Sequence, residues 1–187
     1  MKKIMFILLI AVGVNVNGFA QKGMQGIGVK AYMCLGGYDS QFQGSKSQTT
    51  MGGGLEYQYF LTDAIRVKPS AAYFSNQRYS MSEFSAALSF DYLIPVSTQF
   101  RPYLDLSVRY ADLNCKISYS FDQDTDGKGF AFGGGAGLDI RLSYHFSLQL
   151  EMVALWGQGK QNENGGLGKT IIKKPVWLPS VGLSYNF

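Results

Sequence analysis

Apolar and polar positions alternate in twos along most of this chain. The last stretch shows it most clearly. Trp177, Pro179, Val181, Leu183, Tyr185 and Phe187 fall on one face, and Leu178, Ser180, Gly182, Ser184 and Asn186 on the other. A period of two belongs to a β-strand. The same rule predicts seven earlier strands, over 26–38, 51–61, 65–76, 83–94, 103–119, 129–142 and 146–156. One face of each is aliphatic and aromatic, as in Phe84, Ala86, Leu88, Phe90 and Tyr92. The other carries small residues and isolated charges, as in Ser85, Ala87, Ser89 and Asp91. Short connections are expected at 62–64, 95–102 and 143–145, and longer polar loops near 39–50, 76–82, 118–129 and 157–170. Two features break the regularity. The alternation slips near Asp112, which predicts a bulge or the end of the apolar band. Pro69 and Pro179 fall in mid-strand, where a missing N–H predicts local bulges.

Eight such strands fit one closed barrel, and side-chain size decides which face is inside. The apolar face carries roughly 40 bulky groups, far more than an eight-stranded interior can hold. The Gly-, Ser- and Ala-rich face suits the concave side. Charge is almost absent from the bulky face, as expected against lipid, where a midplane Lys or Arg costs about 2–4 kcal/mol. Closure also satisfies the backbone groups that lipid cannot. The expectation is an all-β fold: an eight-stranded antiparallel transmembrane up-and-down β-barrel. Alternating short turns and long loops place the long loops outside and, with an even strand count, both termini in the periplasm.

Composition sharpens this picture. Met1-Lys2-Lys3 is followed by an apolar run from Ile4 to Gly13 and by Gly18-Phe19-Ala20. A basic start, a short apolar run and a small residue at the cut predict a signal peptide over 1–20 and a barrel domain over 21–187. The apolar run is too short for a transmembrane helix. Removal of Lys2 and Lys3 lowers the formal charge from +4 to +2. With no basic cluster, nucleic acid is excluded as a partner. Aromatics at 14% and 23 glycines fit a single all-β domain. Cys34 and Cys115 fall on the first and fifth strands, opposite walls of an eight-stranded ring, so two thiols are expected in place of a disulfide.

The candidate chemistry lies mostly on the small-residue face. It holds Lys30, Arg66, Lys68, Arg109 and Arg141 against Glu56, Asp91, Asp105, Asp139 and Glu151, five of each sign. Charges confined in a narrow lumen need partners, so a paired network and a mostly occluded lumen are expected. Outside it, Asp122, Asp124, Asp126 and Gly127 match the first half of a calcium loop. The twelfth position is Gly133 where a glutamate is needed, and an acidic hairpin loop is the competing reading. No other cofactor is implied. Gly165-Gly166-Leu167-Gly168-Lys169-Thr170 lacks the first glycine and the helix of a phosphate loop. The sole histidine, His145, sits in a short turn, away from the rim where a Ser–His–acid set could meet lipid. Arg78, Lys160, Lys169, Lys173 and Lys174 lie at the expected outer end, either as solvated loop charges or as contacts for lipopolysaccharide phosphates.

The chain resembles the small outer-membrane β-barrel proteins of the Bacteroidota, the OmpA/OmpX-like porin-family group. The likeness rests on Ala20-Gln21, Gly26-Ile27-Gly28-Val29, Gly54-Leu55-Glu56-Tyr57-Gln58-Tyr59, Leu61-Thr62-Asp63-Ala64-Ile65-Arg66 with Pro69-Ser70, Tyr92-Leu93-Ile94-Pro95-Val96, Gly133-Gly134-Gly135-Ala136-Gly137-Leu138 and the final Phe187. It implies a monomer in outer-membrane lipid and a C-terminal signal, Tyr185 and Phe187, read by barrel-assembly machinery. The peptidoglycan-binding domain of OmpA has no counterpart in the sequence, so its tethering role is not implied. The expected function is non-enzymatic: structural, surface-interaction or envelope integrity. The alternatives are a small-solute or ion pore, and an accessory subunit of a secretion or conjugation apparatus.

Overall fold

The computed structural model describes residues 22–35, 49–76, 81–97, 99–119, 121–163, 166–171 and 175–187. Nine strands appear: β1 Gln25–Leu35, β2 Thr49–Phe60, β3 Ile65–Asn76, β4 Met81–Leu93, β5 Phe100–Tyr119, β6 Phe121–Arg141, β7 Phe146–Glu163, β8 Gly166–Ile171 and β9 Val176–Asn186. All pairings are antiparallel between sequence neighbours, except that β7 and β1 both pair with β9. Because β6 also pairs with β7, eight strands close into a ring. The ninth, β8, is a short flap on the long-hairpin end of β7.

The register fixes the barrel's shape. Gln25 pairs with Tyr59, Tyr59 with Val67, Val67 with Phe90, and Phe90 with Leu106. Leu106 pairs with Gly134, Gly134 with Ala154, Ala154 with Trp177, and Trp177 with Leu35. One circuit therefore returns to β1 ten residues further on. With about 3.3 Å of rise per residue and about 4.8 Å between strands, that stagger tilts the strands by about 40°.

Alternation holds around the ring. Leu55, Leu104, Leu106, Phe130 and Phe132 are more than half exposed on the outer face, while Lys30, Arg66, Asp91 and Asp139 are buried inside. Both chain ends gather at the short-turn end, where Gln25 and Phe187 exchange backbone hydrogen bonds of 3.2 and 2.8 Å. The three short turns share one device. The hydroxyls of Thr62, Ser97 and Ser143 accept from the backbone N–H of Ile65, Phe100 and Phe146 at 3.0, 2.8 and 3.1 Å. A hydroxyl that holds the backbone three residues on lets the chain reverse without a longer loop.

The end opposite the short turns departs from the sequence expectation. The stretches read as loops at 118–129 and 157–170 are largely strand. β5 and β6 pair without interruption up to Tyr119 opposite Phe121, and β7 runs on to Glu163 before folding back as β8. Strands beyond the lipid band need not alternate, so their sequence reads as loop. Parts of 39–50 and 76–82 lie outside the described residues.

The expected bulges are also absent. The β4–β5 and β5–β6 registers run straight through Asp112. There Asp112 pairs outward with Lys128 at 3.1 Å, so the slip marks the end of the apolar band. Pro69 and Pro179 keep the register too. Each interrupts one ladder, β2–β3 or β1–β9, and stays paired on its other side, with Leu88 or Met152. A missing donor removes local bonding, and the long ladders on either side hold the strands in step. β1 and β5 stand four strands apart, which places the backbones of Cys34 and Cys115 on opposite walls.

The glycines of β6 admit β7 closely. A Cβ on Gly135 would strike the carbonyl oxygen of Met152 and lie 2.8 Å from the Cα of Val153. Gly135→Val is therefore expected to destabilise the barrel by about 1–3 kcal/mol. The check is the temperature at which heating abolishes the compact gel mobility of the folded barrel. No change would show that the two strands have room to spare.

Candidate functional site: the charged lumen

The inward faces build three groups of side chains. At the short-turn end Phe60, Leu93 and Tyr103 form an apolar plug with Met24 against it. Toward the hairpin end Tyr32, Ala72, Phe74, Val153, Leu155 and Leu178 form a second. An ionic web, interleaved with the first cluster and reaching up toward the second, draws its members from seven of the eight ring strands.

Arg66 of β3 is fully buried and organises the lower half. Its Nε donates to Asp91 Oδ2 at 2.8 Å, and Nη2 lies in ion-pair contact with the same oxygen at 2.6 Å. Its Nη1 donates to Asp139 Oδ2 at 2.7 Å and to Gln58 Oε1 at 3.0 Å. Arg101 Nη2 donates to the same Asp139 oxygen at 3.2 Å. The guanidinium lies 5.0 Å from the Tyr103 ring and 5.5 Å from that of Phe60, close enough for cation–π attraction.

Glu151 of β7 organises the upper half. One oxygen, Oε2, accepts from Lys68 Nζ at 2.7 Å, Lys30 Nζ at 3.1 Å and Tyr103 Oη at 2.7 Å. Lys30 also pairs with Glu56 at 2.8 Å, and Gln58 Nε2 donates to Glu56 Oε1 at 2.6 Å. Lys68 reaches Asp91 at 3.0 Å and so joins the halves. Four cations, Lys30, Arg66, Lys68 and Arg101, thus face four carboxylates, Glu56, Asp91, Asp139 and Glu151. Charge that balances within a desolvated space is the condition under which burial is tolerated.

Three of the ten sequence-predicted lumen charges stand apart from this web. Asp105 is buried directly across the β4–β5 ladder from Asp91, and among the described residues it makes no ion pair. Arg109 is held by stacking, 5.7 and 5.6 Å from the rings of Tyr32 and Phe74, with Ser85 Oγ as a hydrogen-bond acceptor at 3.3 Å. Arg141 is half-buried near the short turns, and its backbone N–H donates to Gln99 at 2.8 Å. Sequence reasoning missed Arg101, assigned to a turn, because β5 begins at Phe100, earlier than the alternation suggested. It also missed the plugs. Phe60, Phe74, Leu93 and Leu155 lie in phase with inward neighbours, and counting in twos through each strand end would have placed them inside.

Between the ionic web and the upper plug remains a cavity of about 20 Å³, touched by Lys30, Glu56, Lys68, Arg109 and Glu151. That is the room of a single water molecule. Elsewhere, Asp122, Asp124 and Asp126 lie on β6, opposite Ser118, Lys116 and Asn114, on backbone that is extended strand. Their side chains lie outside the described residues, as do Arg78, Lys173 and Lys174. His145 sits at the short-turn end, with Nδ1 2.9 Å from the carbonyl oxygen of Asn186 and its ring stacked on Tyr185 at 5.3 Å. That pins it to β9.

Removing the shared acceptor isolates the cost of the web. Glu151→Ala leaves Lys30 and Lys68 each one carboxylate short in a buried site, and is expected to cost about 3–5 kcal/mol. Adding Lys68→Met should restore part of the loss, since an apolar group needs no partner. Urea midpoints of refolded barrels read both. A midpoint unmoved by Glu151→Ala would show that the web does not stabilise the fold.

Solved structures share this architecture. Neisserial surface protein A aligns with a TM-score of 0.61 at 13% identity, over 89% of this chain and 100% of its own. OprG from Pseudomonas aeruginosa gives 0.59 at 17%, over 89% and 96%. Ail, the attachment invasion locus protein of Yersinia pestis, gives 0.54 at 14%, over 89% and 99%. At these identities the likeness is one of fold. No curated relative matches the chain. The outer membrane protein beta-barrel domain family matches residues 6–187, and the chain belongs to that family of outer-membrane barrels.

Proposed function

We propose that this protein is a non-conducting, non-enzymatic outer-membrane barrel that serves a structural, surface-interaction or envelope-integrity role. The observation that carries this reading is the lumen. Its ionic web is packed among apolar side chains toward both ends, and the cavity beside Lys30, Lys68 and Glu151 has room for about one water. A hydrated ion brings several waters, each with about 30 Å³ of liquid volume, and cannot pass without dismantling the web.

On this reading residues 1–20 are removed on export, and both termini and the three short turns face the periplasm. Tyr185 and Phe187, outward on β9, are what the assembly machinery recognises. The protein works as a monomer in lipid, without nucleic acid and without a resident cofactor. Calcium at Asp122, Asp124 and Asp126 is the one exception left to test. The motifs from Gly54 to Arg66 and from Gly133 to Leu138 favour the Bacteroidota group named above as its closest setting.

Planar-bilayer recording tests the proposal. The protein should insert without steady unit conductance. Steady current steps that change with Arg109→Ala or Glu151→Ala would overturn the closed-lumen reading in favour of a pore.

A further inference from the structure

Asp105 lies inside the barrel without a partner for its charge. It is 2% exposed, and among the described residues neither of its carboxylate oxygens has a hydrogen-bond partner. The β4–β5 register sets it directly opposite Asp91, which is also buried. Directly opposed residues on one face hold their Cβ atoms about 4.5–5.5 Å apart, so the two carboxyls meet. Asp91 is engaged on one side only. Its Oδ2 takes Arg66 and Lys68, while its Oδ1 has no donor. Three buried oxygens thus lack a donor at one place, on two acidic side chains that face each other.

The surrounding charges are already committed. The others in range of Asp105 are Lys68 of β3 and Glu151 of β7. Lys68 Nζ serves Glu151 at 2.7 Å and Asp91 at 3.0 Å. Arg66, beyond Asp91, is divided between Asp91 and Asp139. On β6 the residue opposite Asp105 is Gly135, which has no side chain. Along β5, Tyr103 gives its hydroxyl to Glu151. Arg101 and Arg109 stand four residues away on either side, one paired with Asp139 and the other stacked on Tyr32 and Phe74. Two ionised carboxylates sharing a desolvated site repel, and one of them takes up a proton. Left ionised, they would also weaken the ladder that they face across.

We propose that Asp91 and Asp105 form a proton-binding site, in which one proton resides on Asp105 and its hydroxyl donates to Asp91 Oδ1. A neutral carboxyl carries one O–H donor, and its bond to a carboxylate is short and strong. The proton supplies the donor that Asp91 Oδ1 lacks and removes the repulsion across the β4–β5 ladder. It also keeps the web at four cations against four carboxylates. A proton needs no room, whereas a calcium or magnesium ion needs about six oxygen ligands. Among the described residues, no group of three acidic, histidine or cysteine side chains could hold a metal ion.

Isotope-edited infrared spectroscopy tests the site, on the full chain folded in phosphatidylcholine vesicles at neutral pH, with heavy carbon at the aspartate carboxyls. The spectrum should show the carbonyl stretch of a neutral aspartic acid, and Asp105→Asn should abolish it. The amide still donates to Asp91 but holds no titratable proton, so the urea midpoint of the variant should stay where it is. Absence of the acid band from the parent, or a band that survives Asp105→Asn, would overturn the site. A midpoint that rises in the variant would also overturn it, because that marks repulsion relieved between two ionised groups. A parent midpoint that rises with sodium, but not with choline at equal ionic strength, would assign the place to a bound cation instead. If Asp105→Asn fails to regain heat-dependent gel mobility, Asp105→Ser, a smaller neutral donor, takes its place in the same comparison. The parent spectrum decides against the proposal by itself if it lacks the band.

Discussion

Glu151 Oε2 is the point on which the interior turns. A single carboxylate oxygen accepts from two lysines and a tyrosine that belong to three different strands. Through Lys68 and Asp91 the contact passes to Arg66, and through Asp139 to Arg101. The web therefore ties opposite walls of the ring together across the lumen, where no backbone hydrogen bond can reach. An eight-stranded wall of this stagger leaves an interior that must be filled. Here it is filled by a charged web that is interleaved with Phe60, Leu93 and Tyr103 toward the short turns and covered by apolar side chains toward the long hairpins. The plugs keep water from the ions and so strengthen their attraction. The ions, in turn, require the plugs to stay closed, because an opened web would expose unpaired charge in a poorly hydrated space.

The wall obeys a different constraint. Lipid admits no unsatisfied backbone group, so closure is obligatory. The two mid-strand prolines show how strictly the ring is held. Each removes a donor, yet the register on either side is unchanged. Unbroken ladders on the opposite edges, and long pairing above and below, leave no freedom for a slip that would turn every outward side chain inward. Beyond the apolar band the constraint is lifted. There β5, β6 and β7 continue as sheet, and β8 joins them, under the ordinary rules of a water-exposed surface.

This division explains what the sequence made legible. Within the band, lipid forces an outward apolar residue at every second position, so strand number, order and facing could be read from alternation alone. The charges of Lys30, Arg66 and Glu151 stood out because each sits between two outward apolar residues in the alternation. Outside the band nothing imposes alternation, and β8 and the upper hairpins read as loops. Partner choice inside the lumen was not legible either. It depends on the stagger of the whole ring, which brings β7 residues to β1 and β3. Arg109 and Arg101 share a face with the other charges, but only closure decides that one stacks on aromatic rings while the other joins Asp139.

The central claim is that charges from different strands act as one unit inside the closed wall. A double-mutant cycle between Arg66 and Asp139, with Arg66→Met and Asp139→Leu read by reversible urea unfolding in lipid, tests it most directly. The account predicts a coupling above about 1 kcal/mol, with the double variant recovering much of the loss of either single one. Losses that add to within about 0.5 kcal/mol would contradict it, and would reduce the web to independent, separately solvated pairs.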